Sequence, residues 1–408
     1  MDIELRSVAK EEIGRLLETA EAAFSEGVED EDKARMEALL EPKRTLAAFD
    51  GDEMVAAAAV YPFTLTIPGG QAPSGGVTIV GVLPTHRRRG IVKSMMKRQL
   101  EQCRDIGEAT AILWASEGAI YPHFGYGLAT EHAAMELDRP SASFRSSKPP
   151  RGRTRLLSHD EALKVLPLVY DRVQAETPGM FARSPEWWDR HRLFDGKSRR
   201  DGAGPMFRVV VEIDGQPEGY ALYRARSSWG DDGIHNGTLE VIEAIATNND
   251  AEHTLWSFIF GVDLVDRVKA FFLPVDHPLK SMLADMRRLR LRVRDALWLR
   301  VVDVSKALEE RSYATEGKIV FELDDAFCPW NHGVWELEAT TNNGAVRKSD
   351  AGADIALTAE DLGAVYLGGN SFAQLHRAGR IEERSDGAVR AADDLFRTAK
   401  APWCPEIF

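Results

Sequence analysis

Cysteine is scarce in this 408-residue chain, and long apolar runs are missing. Cys103, Cys328 and Cys404 form neither a CxxC pair nor a regular framework, which excludes a disulfide scaffold and favours a reducing compartment. No stretch approaches the ~18 apolar residues that a membrane span needs. The first residues are charged, so we expect no signal peptide. Together these features predict a cytoplasmic protein without a membrane partner.

Positive charge is also in short supply. Lys and Arg number 51 against 64 Asp and Glu, which gives a net charge of −13. Such a surface repels phosphates, so we expect no nucleic-acid partner and consider cationic substrates instead. The histidines form no HExxH motif and the serines no GxSxG elbow, so neither a metal site nor a serine hydrolase is expected. The length predicts two or three domains.

The most informative segment is a strand, a basic turn and a helix start. The turn reads Arg87-x-x-Gly90-x-Val92, and Arg88 and Arg89 add further positive charge. A helix N-terminus offers unpaired N–H groups to a diphosphate, and glycine lets the backbone approach the phosphates. The pattern favours a loop that binds the pyrophosphate of acetyl-CoA. The alternative is a solvated basic turn that happens to precede a helix.

An acetyl transfer needs an acid for the departing thiolate and a base for the attacking amine. Tyr121 and Tyr126 follow a buried strand at 111–115, and either could be the acid or a packing residue. The tail at 401–408 is unusually apolar, so we expect it to pack against the protein. Burial would make the α-carboxylate of Phe408 a candidate base, and the alternative is an inert, solvated terminus.

Two further patterns bear on organisation and substrate. Residues 45–96 and 208–258 share one plan: strand, Asp-Gly turn, strand, spacer, strand, turn and helix. The second copy has acidic residues at 243–252 in place of the basic turn, which predicts a retained fold without the phosphate site. The carboxylates at 26–32 could attract a cationic substrate or form a solvated loop.

The chain resembles the enhanced intracellular survival acetyltransferases of the GNAT superfamily. Two motifs carry the resemblance: Val-x-Val-x-Pro-Thr-His-Arg-Arg-Arg-Gly at 80–90, and Ala-Ser-Glu-Gly-x-Ile-Tyr-x-x-Phe-Gly-Tyr-Gly at 115–127. The resemblance implies an α/β (α+β) chain with a catalytic GNAT domain at 1–140 and a degenerate GNAT-like domain at 141–303. A sterol-carrier-protein-like domain at 304–408 follows, with the terminal carboxylate returning to the active site. It also implies a homohexamer.

The resemblance assigns a role to each motif position. Tyr121, in a Tyr-x-x-x-Gly-Tyr context, becomes the acid in preference to Tyr126, and the carboxylate of Phe408 becomes the base. Acidic residues Glu26 and Glu406 are expected to bind substrate. The residues expected to hold acetyl-CoA are Val80, Gly81, Val82, Arg88, Arg89, Gly90, Ile91, Val92, Lys93, Ser116 and Glu117.

Two departures concern the acceptor. Ile407 stands before the terminal Phe where the family has an acidic residue, and His123 stands where it has Arg. We therefore expect an acetyl-CoA-dependent N-acetyltransferase of primary amines in cationic substrates such as aminoglycosides. The alternatives are a protein-lysine acetyltransferase and a protein that binds CoA or an apolar ligand without turnover.

Overall fold

A computed structural model describes residues 3–27 and 29–408. Within these residues the strands are β1 Ile3–Arg6, β2 Thr45–Asp50, β3 Glu53–Ile67, β4 Gly70–Val82, β5 Thr110–Trp114, β6 Gly127–Leu128, β7 Glu131–Asp138, β8 Arg153–Leu156, β9 Phe207–Ile213, β10 Gln216–Arg226, β11 Thr238–Ala246, β12 Arg267–Pro274, β13 Arg292–Asp295, β14 Leu297–Val301, β15 Gly317–Asp324, β16 Gly333–Ala339, β17 Gly344–Lys348, β18 Ile355–Thr358 and β19 Glu382–Glu383.

The α-helices alternate with these strands. They are α1 Ile13–Phe24, α2 Asp30–Leu39, α3 Ile91–Asp105, α4 His159–Gln174, α5 Pro185–Trp187, α6 Asn249–Gly261, α7 Leu279–Met282, α8 Val304–Glu310, α9 Ala359–Val365, α10 Phe372–Arg377 and α11 Ala388–Phe396. None of them, within the described ranges, has the length and apolar character needed to cross a lipid bilayer.

The strands form three sheets. Their orders are β1-β2-β3-β4-β5-β14-β6, β13-β7-β12-β11-β10-β9-β8 and β17-β16-β15-β18-β19. The first two repeat the expected plan of antiparallel strands followed by one parallel pair, which is β4 with β5 and β11 with β12. The predicted class of two GNAT-like sheets followed by a third, smaller mixed α/β segment is confirmed.

The chain divides into two compact units. The first comprises Met1–Thr130, Ala296–Pro402 and Ile407–Phe408, and the second Glu131–Asp295 and Trp403–Glu406. The expected domains 1–140, 141–303 and 304–408 stay a prediction. In the sheets, β7 pairs with β12 and β13 of the second, while β14 pairs with β5 and β6 of the first.

The first unit contains the sheet that carries the phosphate-loop motif. Helix α3 packs on one face through Met95, Met96 and Leu100, which are fully buried. Helix α1 covers the other face, and its Leu16 and Leu17 are buried as their helical spacing predicts. This arrangement places the start of α3 and the end of α1 at the carboxyl end of β4.

The second unit repeats this layout. Helix α6 packs on one face of its sheet and α4 on the other, each through its own cluster of buried apolar residues. Both helices start at side-chain caps, Asn248 for α6 and Ser158 for α4.

Candidate active site

The centre of the first unit is a wedge between two parallel strands. Strand β4 pairs with β5 only where Ser74–Gly76 face Thr110–Ile112. Both strands continue beyond these pairs, β4 to Val82 and β5 to Trp114. The hydrogen-bonded pairing with β5 ends at Gly76, but β4 continues to Val82. The backbone of the last residues of β4 is therefore not paired with β5. An extended, hydrogen-bonding ligand arm fits such an opening, and residues 80–82 are the last of β4 beside it.

A bulge in β4 lies where the wedge opens. The register against β3 shifts between Ala57 and Ala59, which face Gly81 and Thr78. Ile79 sits in this bulge with φ of 48°, a conformation that β-branched residues rarely adopt. The bulge redirects the strand and turns its main-chain groups out of the ladder. Sequence reasoning missed it, because isoleucine gives no signal for a positive φ.

The loop after β4 has the geometry expected of an anion site. Gly90 is the N-cap of α3 with φ of 81°, and Arg88 also has a positive φ, of 62°. Alternating left-handed residues before a helix turn successive N–H groups toward one point. The side chains of Arg88, Arg89 and Lys93 are exposed beside this point. Residues 90–93, which are predicted to bind the cofactor, therefore lie together at the helix start.

Arg87 has a different role from its neighbours. Its Nη2 donates to the carbonyl of Ala23 at 2.6 Å, and its Nε donates to the carbonyl of Val82 at 3.3 Å. This arginine therefore ties the last turn of α1 to the end of β4. It was expected to contribute charge to phosphate binding, and this is corrected, because its guanidinium already serves two backbone carbonyls.

His86 fixes the turn that precedes the arginines. Its Nε2 lies 3.3 Å from Asp50 Oδ2, and its Nδ1 lies 2.8 Å from Thr85 Oγ1. The imidazole is buried, so these contacts are shielded from water. They hold the turn against the β2–β3 hairpin. Nothing in the sequence pattern pointed to this support, because Asp50 lies 36 positions away.

Tyr121 begins a short 3-10 helix, Tyr121–Phe124, that follows β5. Its ring is buried in the apolar cluster that includes Val77 and Met96. Burial raises the pKa of the Tyr121 phenol, while a hydrogen bond with Ser116 acts in the opposite direction. The phenol is therefore protonated at neutral pH and can act as a proton donor. Ser116 and Glu117 are exposed at the end of β5.

Tyr126, the other candidate acid, lies behind Tyr121. The two rings meet edge to face with centroids 6.0 Å apart. Tyr126 is completely buried, and its hydroxyl lacks a hydrogen-bond partner among the described residues. Burial raises the pKa of Tyr126 well above its usual value. A substrate has no access to this hydroxyl, so the structure favours Tyr121.

The terminal residue lies in the same unit as Tyr121. The ring of Phe408 meets the ring of Phe63 edge to face, with centroids 4.9 Å apart. Phe63 in turn lies over Gly76, where an added Cβ would come within 2.3 Å of the ring. Gly76 is also the last residue of β4 that pairs with β5. One aromatic ring therefore separates Phe408 from the point where the wedge opens.

Glu26 lies just past the end of α1. Its N–H donates to the carbonyl of Glu21 at 3.0 Å, and its side chain is exposed. The last turn of α1 approaches the wedge closely, since a Cβ on Gly81 would lie 2.8 Å from Ala23 Cβ. By contrast, Asp32 in the same acidic segment is buried and ion-paired with Arg35 at 3.4 Å. Asp32 is thus part of the packing of α2.

The expectation that Glu406 binds substrate is corrected. Its side chain is completely buried within the second unit and faces Arg183, Arg192 and Trp187. A carboxylate with no solvent exposure and several cationic or N–H partners is not accessible to an amine. Sequence reasoning could not find Arg183, because nothing marks an arginine 223 positions earlier as a partner. The rest of the tail is packed as expected, with Trp403 and Cys404 buried.

In residues 3–27 and 29–408, no three side chains of His, Cys, Asp or Glu are grouped to hold an ion.

Comparison with known proteins agrees with this geometry. Models of acetyltransferase (GNAT) domains match residues 4–129 and 179–301, and a sterol carrier protein domain matches 304–405. An uncharacterized N-acetyltransferase of Streptomyces avermitilis is 41% identical over 382 residues, 93% of this chain and 92% of that protein. The N-acetyltransferase Eis of Mycobacterium tuberculosis is 33% identical over 355 residues, 85% of this chain and 84% of that one. The chain belongs to the Eis family of GNAT acetyltransferases.

A solved structure supports the same family over the full length. Eis1 from Mycobacterium abscessus superposes with a TM-score of 0.85 at 33% identity, covering 100% of both chains. A GCN5-related N-acetyltransferase from Anabaena variabilis, at 19% identity, shares the fold with a TM-score of 0.86. As an Eis-family protein, this chain is an N-acetyltransferase, and acetyl-CoA is the acetyl donor of GNAT acetyltransferases. The wedge and the α3 start of the first unit fit that donor.

Proposed function

We propose that this chain transfers the acetyl group of acetyl-CoA directly to a primary amine of a small cationic substrate such as an aminoglycoside. The observation that carries the proposal is the Phe408–Phe63–Gly76 contact. It brings the ring of Phe408 into the unit that holds the wedge and Tyr121, which supports a role for its α-carboxylate. The terminal carboxylate then serves as a base beside the acetyl donor.

The reaction needs two proton transfers, and two groups serve them. The carboxylate of Phe408 accepts a proton as the amine attacks the thioester carbonyl, and the backbone near Val82 polarises that carbonyl. The carbon–sulfur bond then breaks, and Tyr121 donates its proton to the thiolate of CoA. Because burial raises the pKa of Tyr121, the phenol is available in its protonated form throughout the neutral range.

Donor binding is assigned to both sides of the wedge. Val80, Gly81 and Val82 present strand backbone to the pantetheine arm, and Ser116 and Glu117 line the opposite side. Arg88, Arg89 and Lys93 supply positive charge at the start of α3, while Gly90, Ile91 and Val92 supply N–H groups. This division matches the exposure of the side chains, since the arginines and Lys93 face solvent and Ile91 is buried.

The acceptor is expected to carry positive charge. Glu26 is an exposed carboxylate in the loop that follows α1, and α1 ends against Gly81 of β4. The net charge of −13 favours approach of a polycationic molecule. A lysine side chain of a protein carries the same primary amine, so these two classes of substrate differ in the size of the acceptor.

We also propose, from the family resemblance, that the protein is a homohexamer. Light scattering on the purified protein would measure its oligomeric state.

A steady-state assay tests the proposal. CoA release would be followed with acetyl-CoA and three acceptors: an aminoglycoside panel, a lysine-containing peptide, and buffer alone. We expect turnover with aminoglycosides and a product heavier by one acetyl group per modified amine. Turnover confined to the peptide would reassign the acceptor class. Folded protein that binds acetyl-CoA but releases no CoA with any amine would contradict the proposal.

A further inference from the structure

Tyr121 lies on a short segment between two strands of the first sheet. Strand β5 leads into this segment and β6 follows it, and both strands pair with β14. Between them, residues 121–124 form the 3-10 helix that begins with Tyr121, and Gly125 caps this helix with a φ of 79°. The position of the Tyr121 phenol therefore depends on the groups that hold the helix and its cap.

Arg300 of β14 lies against the cap of this helix. A Cβ on Gly125 would come within 2.7 Å of Arg300 Nη1, so only a glycine lets the guanidinium approach the turn this closely. Arg300 is completely buried, and its Nη2 donates to Asp325 Oδ2 at 2.5 Å. Asp325 is buried as well. The turn after Tyr121 thus rests on one half of a buried ion pair.

The loop after β15 holds the other half of this pair. Asp325 Oδ1 accepts the N–H of Cys328 at 2.9 Å, and Oδ2 also accepts from Asn331 Nδ2 at 3.1 Å. Asn331 in turn donates to the carbonyl of Val302 at 3.1 Å and accepts the N–H of Val304 at 3.2 Å. Both oxygens of the carboxylate are therefore occupied, and the loop is tied to the end of β14.

The same loop also contacts the 3-10 helix directly. The ring of Phe327 meets the ring of Phe124 edge to face, with centroids 5.2 Å apart. Phe327 also packs against the buried apolar cluster that includes Tyr121. Residues 325–327 therefore reach the helix at its last residue and, through Arg300, at its cap.

The Arg300–Asp325 pair is better explained by geometry than by stability. Burying two charges costs about as much as their attraction returns, and an apolar pair of the same volume would be as stable or more so. A guanidinium held by a carboxylate, however, has one position. Proton transfer needs such precision, because the donor must lie within hydrogen-bond distance and an error near 1 Å costs on the order of a hundredfold in rate.

We propose that Asp325 is a positioning residue for Tyr121 and that it acts through Arg300. The guanidinium supports the cap of the 3-10 helix, and Phe327 adds a second contact to the same helix. All these residues belong to the first unit. The proposal rests on the assignment of Tyr121 as the general acid. Residues 304–405 match a sterol carrier protein domain, so a loop of that domain supports the acid of the GNAT domain.

Asp325→Asn tests the proposal with little change in side-chain shape. An amide has one acceptor oxygen, so it cannot accept from both Arg300 and the N–H of Cys328 as the carboxylate does. We expect kcat to fall on the order of tenfold because the acid is displaced. The KM for acetyl-CoA should stay unchanged, since Tyr121 is not assigned to donor binding.

The matched control is Glu108→Gln. Glu108 forms a comparable buried ion pair with Arg44 at 2.7 Å in the same unit. It precedes β5, whereas Tyr121 follows this strand, so the two pairs lie toward opposite ends of β5. Both variants should lower the melting temperature, but Glu108→Gln should keep kcat within about twofold.

A double-mutant cycle separates positioning from a merely structural effect. If Asp325 acts through Tyr121, Asp325→Asn should lower kcat of the wild type and leave kcat of Tyr121→Phe nearly unchanged, because no acid remains to be displaced. A merely structural effect would lower kcat by the same factor in both backgrounds.

A second variant carries the test if the first does not fold. Phe327→Leu keeps most of the apolar volume and removes the ring contact with Phe124, so kcat should fall severalfold in the wild type and stay unchanged in Tyr121→Phe. Phe372→Leu is its control, because it removes a similar edge-to-face contact, with Phe396 at 5.0 Å. This control should keep kcat within about twofold.

The outcomes separate this proposal from the assignment of the acid. If Tyr121→Phe turns over as fast as the wild type, Tyr121 is not the acid and both proposals fall. If Tyr121→Phe is slow but folded Asp325→Asn keeps the wild-type kcat, only the further inference fails. Equal losses of kcat in the two backgrounds would also overturn it.

Discussion

The ring of Phe408 lies edge to face against Phe63, with centroids 4.9 Å apart and planes inclined by 78°. Such contacts between aromatic rings contribute about 0.5–1.5 kcal/mol beyond the area that they bury. This contact holds Phe408 against β3, the strand that pairs with β4 on the side away from β5. The position of the terminal carboxylate should therefore depend on Gly76, the residue over which the Phe63 ring lies.

Gly76→Ala tests this dependence. The new Cβ would lie 2.3 Å from the Phe63 ring, so the ring must move and Phe408 with it. We expect a loss of about 1–3 kcal/mol in the free energy of unfolding and a lower kcat. Gly70→Ala on the same strand is the control, because nothing lies within 4 Å of its Cβ. Urea unfolding and steady-state kinetics measure both; unchanged kcat in Gly76→Ala would contradict the prediction.

Tyr121→Phe should lower kcat by about 10²–10³-fold and leave acetyl-CoA affinity nearly unchanged. Because burial raises the pKa of Tyr121, the phenol should stay protonated through the neutral range, and kcat of the wild-type enzyme should not fall there through loss of the proton donor. Tyr126→Phe removes a buried hydroxyl without a partner, so its kcat and stability should match the wild type. A pH profile of kcat for all three proteins checks this. Comparable losses in both variants would reject Tyr121 as the acid.

The arginines of the phosphate loop should separate in their effects. Arg88→Ala should raise the KM for acetyl-CoA with little change in stability. Added salt should weaken the binding of acetyl-CoA to the wild type more steeply than to Arg88→Ala. Arg87→Ala should instead lower stability by about 1–3 kcal/mol, because two backbone carbonyls lose their donor. Calorimetric binding of CoA and thermal unfolding distinguish the two. A larger KM effect for Arg87→Ala would restore it to phosphate binding.

Glu243→Gln should destabilise the protein by about 3 kcal/mol near neutral pH, since Arg183 loses its buried partner. The ion pair lowers the pKa of Glu243 below its ordinary 4.5, so its stabilising effect is present above that pH. It is lost as the pH falls through the lowered value, so wild type and variant should converge in acid. Glu240→Gln, which removes a partly exposed partner of Arg226, should cost under about 1 kcal/mol. Urea unfolding at several pH values measures the convergence.

The periodic parts of the fold were predictable. Apolar spacing located α1 and α3, the Asp-Gly turns located the β2–β3 and β9–β10 hairpins, and residues 78–93 gave the strand, turn and helix of the donor loop. These are local signals, since a turn or an amphipathic helix depends on residues a few positions apart. The pairing of β7 with β12 and β13, and of β14 with β5 and β6, carries no such signal.

The placement of some site residues also agreed with the sequence, while that of others did not. The placement of Gly90 at the start of α3 and the exposure of Arg88 and Arg89 agree with the motif, and their role in phosphate binding stays a prediction. Arg87 and Glu406 were assigned to ligands but bind protein groups. A side chain's partner is chosen by whatever the fold brings within hydrogen-bond distance, and the sequence does not show that choice.

The sequence by itself determined the family, the strand, turn and helix start at 78–93, and the repeated GNAT plan, because each depends on short-range patterns of charge, glycine and apolar residues. Only the tertiary structure decided what the tail does. The contacts of Glu406 with Arg183 and of Phe408 with Phe63 join residues hundreds of positions apart. Pairings over such distances form only when the packed fold brings the two residues together, so no local pattern encodes them.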